Sequence, residues 1–326
     1  MALWLREDDV ARLLRMDDVI AAVENGFRAL GEGRAVNTPR TRTVTAAGTL
    51  HAMHAAIPDL GVMGLKSYGV TPQGARFLAV LHRLEDGEIV LMAEADRLGQ
   101  IRTGAASGVA TRHLAVPEAG SLGVIGAGWQ ARTQVEAICR VRPIALVKVY
   151  SRTPQRREAF AEEMVAALGT EVIAVDRPED ALDGAAVVAV ATNARTPVLA
   201  GRWLAPGMHV NAVGSNAASR QEIDADAVRR ADRIVTDALD QARVECGDLL
   251  AAAREDAGVW DRVTELGAVV AGRAPGRARR DEITLFESQG IALEDVVTLE
   301  LLYRTARAAG AGEEIALSRE ALRPRR

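Results

Sequence analysis

Gly126-Ala127-Gly128-Trp129-Gln130-Ala131 reads GxGxxA, directly after the apolar run Leu122–Ile125 and at the start of a helical pattern. This is the order that dinucleotide binding requires. The first glycine permits a tight turn, the second lets backbone approach a pyrophosphate, and Ala131 keeps helix and strand close. The helix N-terminus then offers unpaired N–H groups to the phosphates. Gly126, Gly128, Trp129 and Gln130 are therefore candidate cofactor contacts. About 20 residues further on, an NAD-binding chain carries Asp or Glu for the ribose hydroxyl. Here that place reads Tyr150-Ser151-Arg152-Thr153. A carboxylate would repel a 2'-phosphate, whereas Arg152 can pair with it and Ser151 or Thr153 can hydrogen-bond it. The residues predict NADP(H). NAD is the alternative, if Arg152 is one more solvated arginine.

A second set of residues is cationic. Lys66 lies in the apolar stretch Gly61–Val70, where a charge is costly unless an anion pairs with it or chemistry uses it. It is also rare: of 40 basic residues only Lys66 and Lys148 are lysines, so a lysine has no background to hide in. Arg40 and Arg42 stand two apart in the strand-like TPRTRTVT and so point to one face. Arg102 follows a helix start at Asp96. Several cations in a β-rich region beside a dinucleotide fold suit a small carboxylate substrate. Spacing does not choose between Arg40 and Arg42.

These residues need elements to hold them. The 326 residues imply about two domains at roughly 150 residues each. A 26% charged, 48% hydrophobic composition with net charge −4 reads as globular, and the absence of a basic block argues against nucleic acid. No apolar run reaches the ~18 residues of a membrane span, and no leader pattern opens the chain. Two cysteines, Cys139 and Cys246, make no disulfide framework, which fits a cytoplasmic protein.

The first 30 residues read as two helices, Glu7–Leu14 and Met16–Leu30. Short β-type runs follow, at 40–45, 49–57, 62–70, 76–84 and 88–93, with a hairpin signal at Asp86-Gly87, closed by a helix over 96–114. From Ser121 short apolar strands alternate with helices, which means βαβ units and a parallel doubly wound sheet. The expected fold class is α/β: a Rossmann dinucleotide-binding domain, residues 119–288, inserted into a discontinuous α+β domain of residues 1–118 plus 289–326. A final helix over 293–309 packs back on the first domain. Lys148 marks a strand edge or a partly exposed face. Glu222 and Asp224 read as helix N-terminal residues, and Asp295 as a first-turn charge on the last helix. The five histidines, His51, His54, His82, His113 and His209, form no metal-spaced set, so no metal is expected. His51 and His54, three apart in a strand, fall on opposite faces. His54 is a candidate for the edge of the site, with a structural role as the plainer reading.

Across nearly its whole length the chain resembles the ornithine cyclodeaminase/mu-crystallin family. The resemblance rests on GTLHAM (48–53), GLKSYG (64–69), EADRLGQIRTGAASGVAT (94–111), GVIGAGWQA (123–131), VYSRT (149–153), AVGSNAASRQEID (212–224) and GIALEDVV (290–297). It implies a homodimer joined through the N-terminal sheets, and chemistry on the Cα–N bond of a small amino or imino acid. In that likeness Lys66 is the substrate-site lysine, with Met53 beside it. Arg102, and either Arg40 or Arg42, bind the substrate carboxylate. Thr103 lies near the cofactor phosphates, Thr192 and Gly214 near a ribose, and Ser288 and Gly290 close over the nicotinamide.

One departure is informative. Members that cyclise ornithine carry an aspartate shortly after the VG glycine, where this chain has Asn216. An amide hydrogen-bonds but does not exchange a proton near neutral pH. The resemblance and this departure together imply an NADPH-dependent imino-acid (ketimine) reductase acting on a cyclic or 2-oxo-acid-derived imine carboxylate, in reverse an amino-acid dehydrogenase. The alternatives are an NAD-dependent ornithine cyclodeaminase and a mu-crystallin-like NADP(H)- and ligand-binding protein of low turnover.

Overall fold

The computed structural model describes residues 1–317. Strands are numbered in chain order. One sheet contains β1 (Ala2–Leu5), β2 (Val36–Val44), β3 (Thr49–Ile57), β4 (Val62–Thr71), β5 (Gly74–Arg83) and β6 (Ile89–Glu94), and ends with β15 (Glu313–Ile315), in the order β15-β1-β6-β5-β4-β3-β2. The second contains β7 (Ser121–Ile125), β8 (Leu146–Tyr150), β9 (Glu171–Ala174), β10 (Val187–Val190), β11 (His209–Ala212), β12 (Arg233–Thr236), β13 (Val263–Glu265) and β14 (Thr284–Glu287). Its order is β13-β12-β14-β11-β10-β7-β8-β9, with every pair parallel. This is the doubly wound sheet that the alternating pattern predicts. Successive strands leave β7 in opposite directions, so a crevice opens at the carboxyl ends of β7 and β10.

The first sheet is not purely antiparallel. β2 to β6 are consecutive antiparallel neighbours, but β1 pairs parallel to β6 and antiparallel to β15. The sequence reading gives only helices to the first 30 residues and so misses β1. Four residues, ALWL, are too few to show a period, yet Ala2, Leu3 and Leu5 are buried. Pairing at both edges, rather than local propensity, makes this segment a strand.

Alternation in β3, β4 and β5 turns Met53, Ala55, Ile57, Val62, Gly64, Lys66, Ala79 and Leu81 to one face, all of them buried. The last helix, Ala292–Ala309, packs on that face, and the helix Met16–Gly31 packs on it in turn. The helix Asp96–Leu114 joins the two halves of the molecule. It is buried on nearly all sides, and its small residues allow close approach: a Cβ on Gly104 would collide with the Thr133 carbonyl oxygen. The two faces of the parallel sheet hold separate apolar clusters, one around Leu122, Val124, Val147 and Val187, the other around Val188, Val190, Val210 and Ile234. Lys148 lies in β8 between β7 and β9, so the strand-edge reading is wrong. Its side chain is partly exposed, and Nζ donates to the Asp183 carbonyl at 2.8 Å.

Candidate active site

A cavity of about 850 Å³ opens where the crevice is expected. Gly126 sits at φ +115°, and a Cβ there would collide with the Ala191 carbonyl oxygen, so only glycine makes this turn. Gly128 caps the helix Trp129–Val141 with open space around its Cα. Together they form a cradle for a phosphate group at a helix N-terminus. Gln130 Oε1 is buried there without a partner among the described residues, and the Trp129 side chain is exposed. The β8 end supplies Tyr150, Ser151, Arg152 and Thr153 to the same cavity. Arg156, which the sequence reading passes over, joins them from the following turn of helix. With Arg195 and Arg220 they bring the lining to four arginines and no carboxylate. Arg152 and Arg156 make no ion pair among the described residues. On the opposite wall stand Thr192, Gly214 and Asn216. The Asn216 Oδ1 accepts from Arg220 Nη1 at 3.1 Å.

That wall has a support that the sequence reading mistakes. Glu222 is not a helix N-terminal residue. Its fully buried carboxylate accepts from the Thr192 N–H (2.5 Å) and hydroxyl (2.7 Å), from the Val213 N–H (3.1 Å) and from the Gly214 N–H. Burial and the neighbouring Asp248 push its pKa up to about 8, against the pull of those donors. Asp224 does cap the helix Ala225–Arg230, accepting from the Ala227 N–H at 2.8 Å.

The cationic residues do not line this cavity. They form a buried cluster next to it. Lys66, on β4 opposite Met53, is 2% exposed, and its Nζ lies 2.6 Å from Asp295 Oδ1. The same oxygen accepts from Arg102 Nε at 2.8 Å, while Arg102 Nη1 reaches Glu294 Oε2 at 2.7 Å. Asp295 is a first-turn acid of the last helix, as expected, and also an ion-pair partner inside the protein, its Oδ2 buried without a hydrogen bond among the described residues. Burial, with Arg102 and Arg40 nearby, pulls the Lys66 pKa down to about 8, against the opposing pull of Asp295. Burial also works against the Arg102 charge, but Asp295 and Glu294 more than offset it and raise its pKa.

Arg40 and Arg42 both reach one side, as their spacing predicts, and there they meet Glu245. Arg40 Nη1 lies 3.4 Å from Oε1, and Arg42 Nη2 pairs with Oε2. Their remaining bonds differ. Arg40 Nη2 donates to the Gln289 and Gly290 carbonyls at 2.8 Å each, and its side chain is 3% exposed. Arg42 is 23% exposed and donates to the Asn216 carbonyl at 3.1 Å, which ties the cation cluster to the cavity wall. The turn 287–290 is held from several sides. Asp237 Oδ2 accepts from the Gln289 and Gly290 N–H groups at 2.7 and 2.6 Å, and Gly290, at φ +73°, leaves no room for a Cβ beside Arg102 Nη1. Burial, and then Glu294, push the Asp237 pKa up to about 7.

Some expected positions fall elsewhere. Thr103 does not line the cavity. Its hydroxyl donates back to the Gly99 carbonyl at 2.7 Å, the usual resort of a threonine inside a helix. Ser288 is buried and does not line the cavity, its hydroxyl without a partner among the described residues. His54 is exposed on the sheet face opposite Lys66, so it does not edge the site. His51 is on the Lys66 face, and burial with Arg40 and Arg42 lowers its pKa to about 4. Sequence reasoning does not find the roles of Glu245, Glu294, Asp295 and Glu222. The adjacent acids Glu294-Asp295, inside an otherwise apolar helix start, are the one available signal.

Residues 2–310 match the family model described as "Ornithine cyclodeaminase/mu-crystallin family". A Delta(1)-pyrroline-2-carboxylate reductase of Bacillus cereus is 33% identical over 325 residues, covering 96% of this chain and 99% of that protein. The structure of Thermococcus litoralis Delta(1)-pyrroline-2-carboxylate reductase, in complex with NADH and L-proline, superposes with a TM-score of 0.91 at 34% identity, covering 96% of this chain and all of that one. An archaeal alanine dehydrogenase dimer with bound NAD gives a TM-score of 0.91 at 31% identity, covering 97% and 99%.

Proposed function

The chain belongs to the ornithine cyclodeaminase/mu-crystallin family, and from that premise we propose that it is an NADPH-dependent reductase of imine carboxylates. In reverse it is an amino-acid dehydrogenase. The observation that carries this reading is the pairing of an acid-free, arginine-lined dinucleotide cleft with a buried cation cluster one residue contact away, through Arg42 and Asn216.

The cofactor assignment rests on Arg152 and Arg156, free guanidinium groups where an NAD-binding chain places a carboxylate. The cradle of Gly126 and Gly128 would hold the pyrophosphate. A bound reduced nicotinamide dinucleotide supplies the hydride. The protein does the rest. Lys66, Arg102 and Arg42 receive the substrate carboxylate, Arg42 being the more available of the two early-strand arginines. Arg40 holds the Gln289–Gly290 backbone in place. Lys66, with a pKa near 8, is charged at neutral pH yet able to give a proton to the imine nitrogen. Asn216, bonded to Arg220, cannot take a proton from an attacking water, which weighs against cyclodeamination.

The sheet bearing Lys66 has an opposite face on which Leu50 and Leu78 are exposed and Ala52, Met63, Leu65 and Val80 are only half-buried. An apolar sheet face of this kind needs a cover, and a second copy of the chain supplies it as a homodimer. We assign substrate binding and dimerisation to residues 1–118 plus 289–326, of which 318–326 lie outside the described residues, and dinucleotide binding to 119–288. Two unpaired cysteines favour a cytoplasmic setting, and no helix among the described residues is long and apolar enough to cross a membrane.

The test is to follow absorbance at 340 nm with NADPH or NADH and Δ1-pyrroline-2-carboxylate. Oxidation of NADPH in preference to NADH, with formation of proline, is expected. Ammonia release from ornithine without net cofactor consumption would replace the reading by a cyclodeaminase. Tight NADPH binding with no turnover would replace it by a binding protein.

A further inference from the structure

The helix-covered face of the first sheet carries three rings in register. His51 on β3 is opposite Tyr68 on β4, and Tyr68 is opposite Phe77 on β5. The His51 and Tyr68 centroids are 4.2 Å apart with planes 6° from parallel, and those of Tyr68 and Phe77 are 4.9 Å apart at 24°. Arg42 is the register partner of His51 on its other side, so guanidinium, imidazole, phenol and phenyl form one row across four strands. All four side chains are only half-buried, although Met53 and Lys66 on the same face are sealed. The row begins at Arg42, which bonds the cavity wall at Asn216, and it passes Lys66, whose Nζ is 5.9 Å from the Tyr68 ring centroid. His51 Nδ1 is buried within it and has no hydrogen-bond partner among the described residues.

We propose that this row is the wall against which the hydrocarbon body of the substrate packs, and that Tyr68 gives the enzyme its preference for imine carboxylates carrying a ring over those carrying only a methyl group. The inference rests on the reading of the site as an imine-carboxylate reductase. A carboxylate seated on Lys66 is one bond from the imine carbon, so whatever that carbon carries falls within reach of a ring 5.9 Å from Nζ. Both faces of the Tyr68 ring are taken by His51 and Phe77, so the substrate meets ring edges. Those edges offer apolar C–H surface against which the methylene groups of a cyclic imine pack. An ammonium-bearing side chain would be desolvated against hydrocarbon and beside existing cations, which disfavours a basic substrate.

The experiment compares kcat/KM for Δ1-piperideine-2-carboxylate with that for the imine formed from pyruvate and ammonia. In the wild type the cyclic imine is preferred. Tyr68→Ala lowers the ratio of the two by about tenfold, through KM for the cyclic substrate, and Tyr68→Phe, which keeps the ring edge, holds the ratio within about twofold of wild type. Tyr68→Leu serves where the alanine variant does not fold, and it lowers the ratio in the same direction. Equal losses on both substrates, leaving the ratio unchanged, overturn the proposal, as does a wild type that prefers the pyruvate imine. A wild type that oxidises neither NADPH nor NADH with either substrate overturns the reductase reading itself, and this inference with it.

Discussion

The dinucleotide cleft and the cation cluster are both built around arginine, but they treat charge in opposite ways. In the cleft, Arg152 and Arg156 stand exposed, without ion-pair partners among the described residues. In the cluster, Lys66, Arg102, Arg40 and Arg42 are mostly sealed from water, and Asp295, Glu294 or Glu245 meets each of them. A solvated arginine costs little to keep ready for a phosphate, and its attraction is screened by salt. A buried cation is expensive alone, so it is folded together with its counter-ion and is then held in a fixed place. In the proposed reading, the cleft selects a ligand by charge and the cluster fixes the geometry of the reaction.

Breaking the cluster should have the largest effect. Lys66→Met removes both the buried cation and the proposed proton source, and steady-state kinetics should show kcat falling by roughly 10³-fold while dinucleotide affinity holds. Activity close to wild type would take Lys66 out of the mechanism. Asp295→Asn comes next, at about 100-fold in kcat/KM, on the order of 3 kcal/mol, because Lys66 and Arg102 lose a shared partner.

The pH profile of the same variant sharpens the comparison. Lys66 loses its proton as pH rises through about 8, so reduction by the wild type should decline above that value. Asp295 helps hold that proton, so its removal should move the decline to lower pH. A profile that does not shift would leave Asp295 a purely structural partner. In the cleft the changes should be smaller. Arg152→Asp should shift the NADPH-to-NADH selectivity roughly 10- to 100-fold toward NADH. Raising salt from about 0.05 to about 0.5 M should weaken NADPH binding by about threefold to fivefold while leaving the KM of the imine nearly unmoved. A cluster as salt-sensitive as the cleft would erase the distinction between the two regions.

The contrast also decides what can be read in the sequence. GxGxxA between a strand and a helix is legible because all its parts are adjacent in the chain. Lys66 is legible because an apolar strand in a lysine-poor chain offers it no ordinary place. The long elements, such as the strand Thr49–Ile57 and the helix Asp96–Leu114, are legible because their periods run for several turns or pleats. The counter-ions are not. Glu245 and Asp295 sit on helices where acids are common on the wet side, and only the fold brings them 200 or more residues back along the chain to Arg40, Arg42 and Lys66. Glu222 is hidden for the same reason, since its partners are the Thr192 hydroxyl and the backbone N–H groups of Thr192, Val213 and Gly214, which leave little side-chain signature. β1 depends on neighbours at both edges, one of them at residues 313–315. In each case the missing information is the identity of a distant partner.

The scarcity and burial of lysine also govern how the molecule can be handled. Amine-reactive reagents find only two lysine side chains in this sequence: a partly shielded Lys148 and a Lys66 that solvent hardly touches. Peptide mapping after mild acetylation should find Lys148 modified and Lys66 unmodified in the folded protein. Lys66 reacts when the chain opens, which makes it a built-in reporter for unfolding of the sheet that carries it.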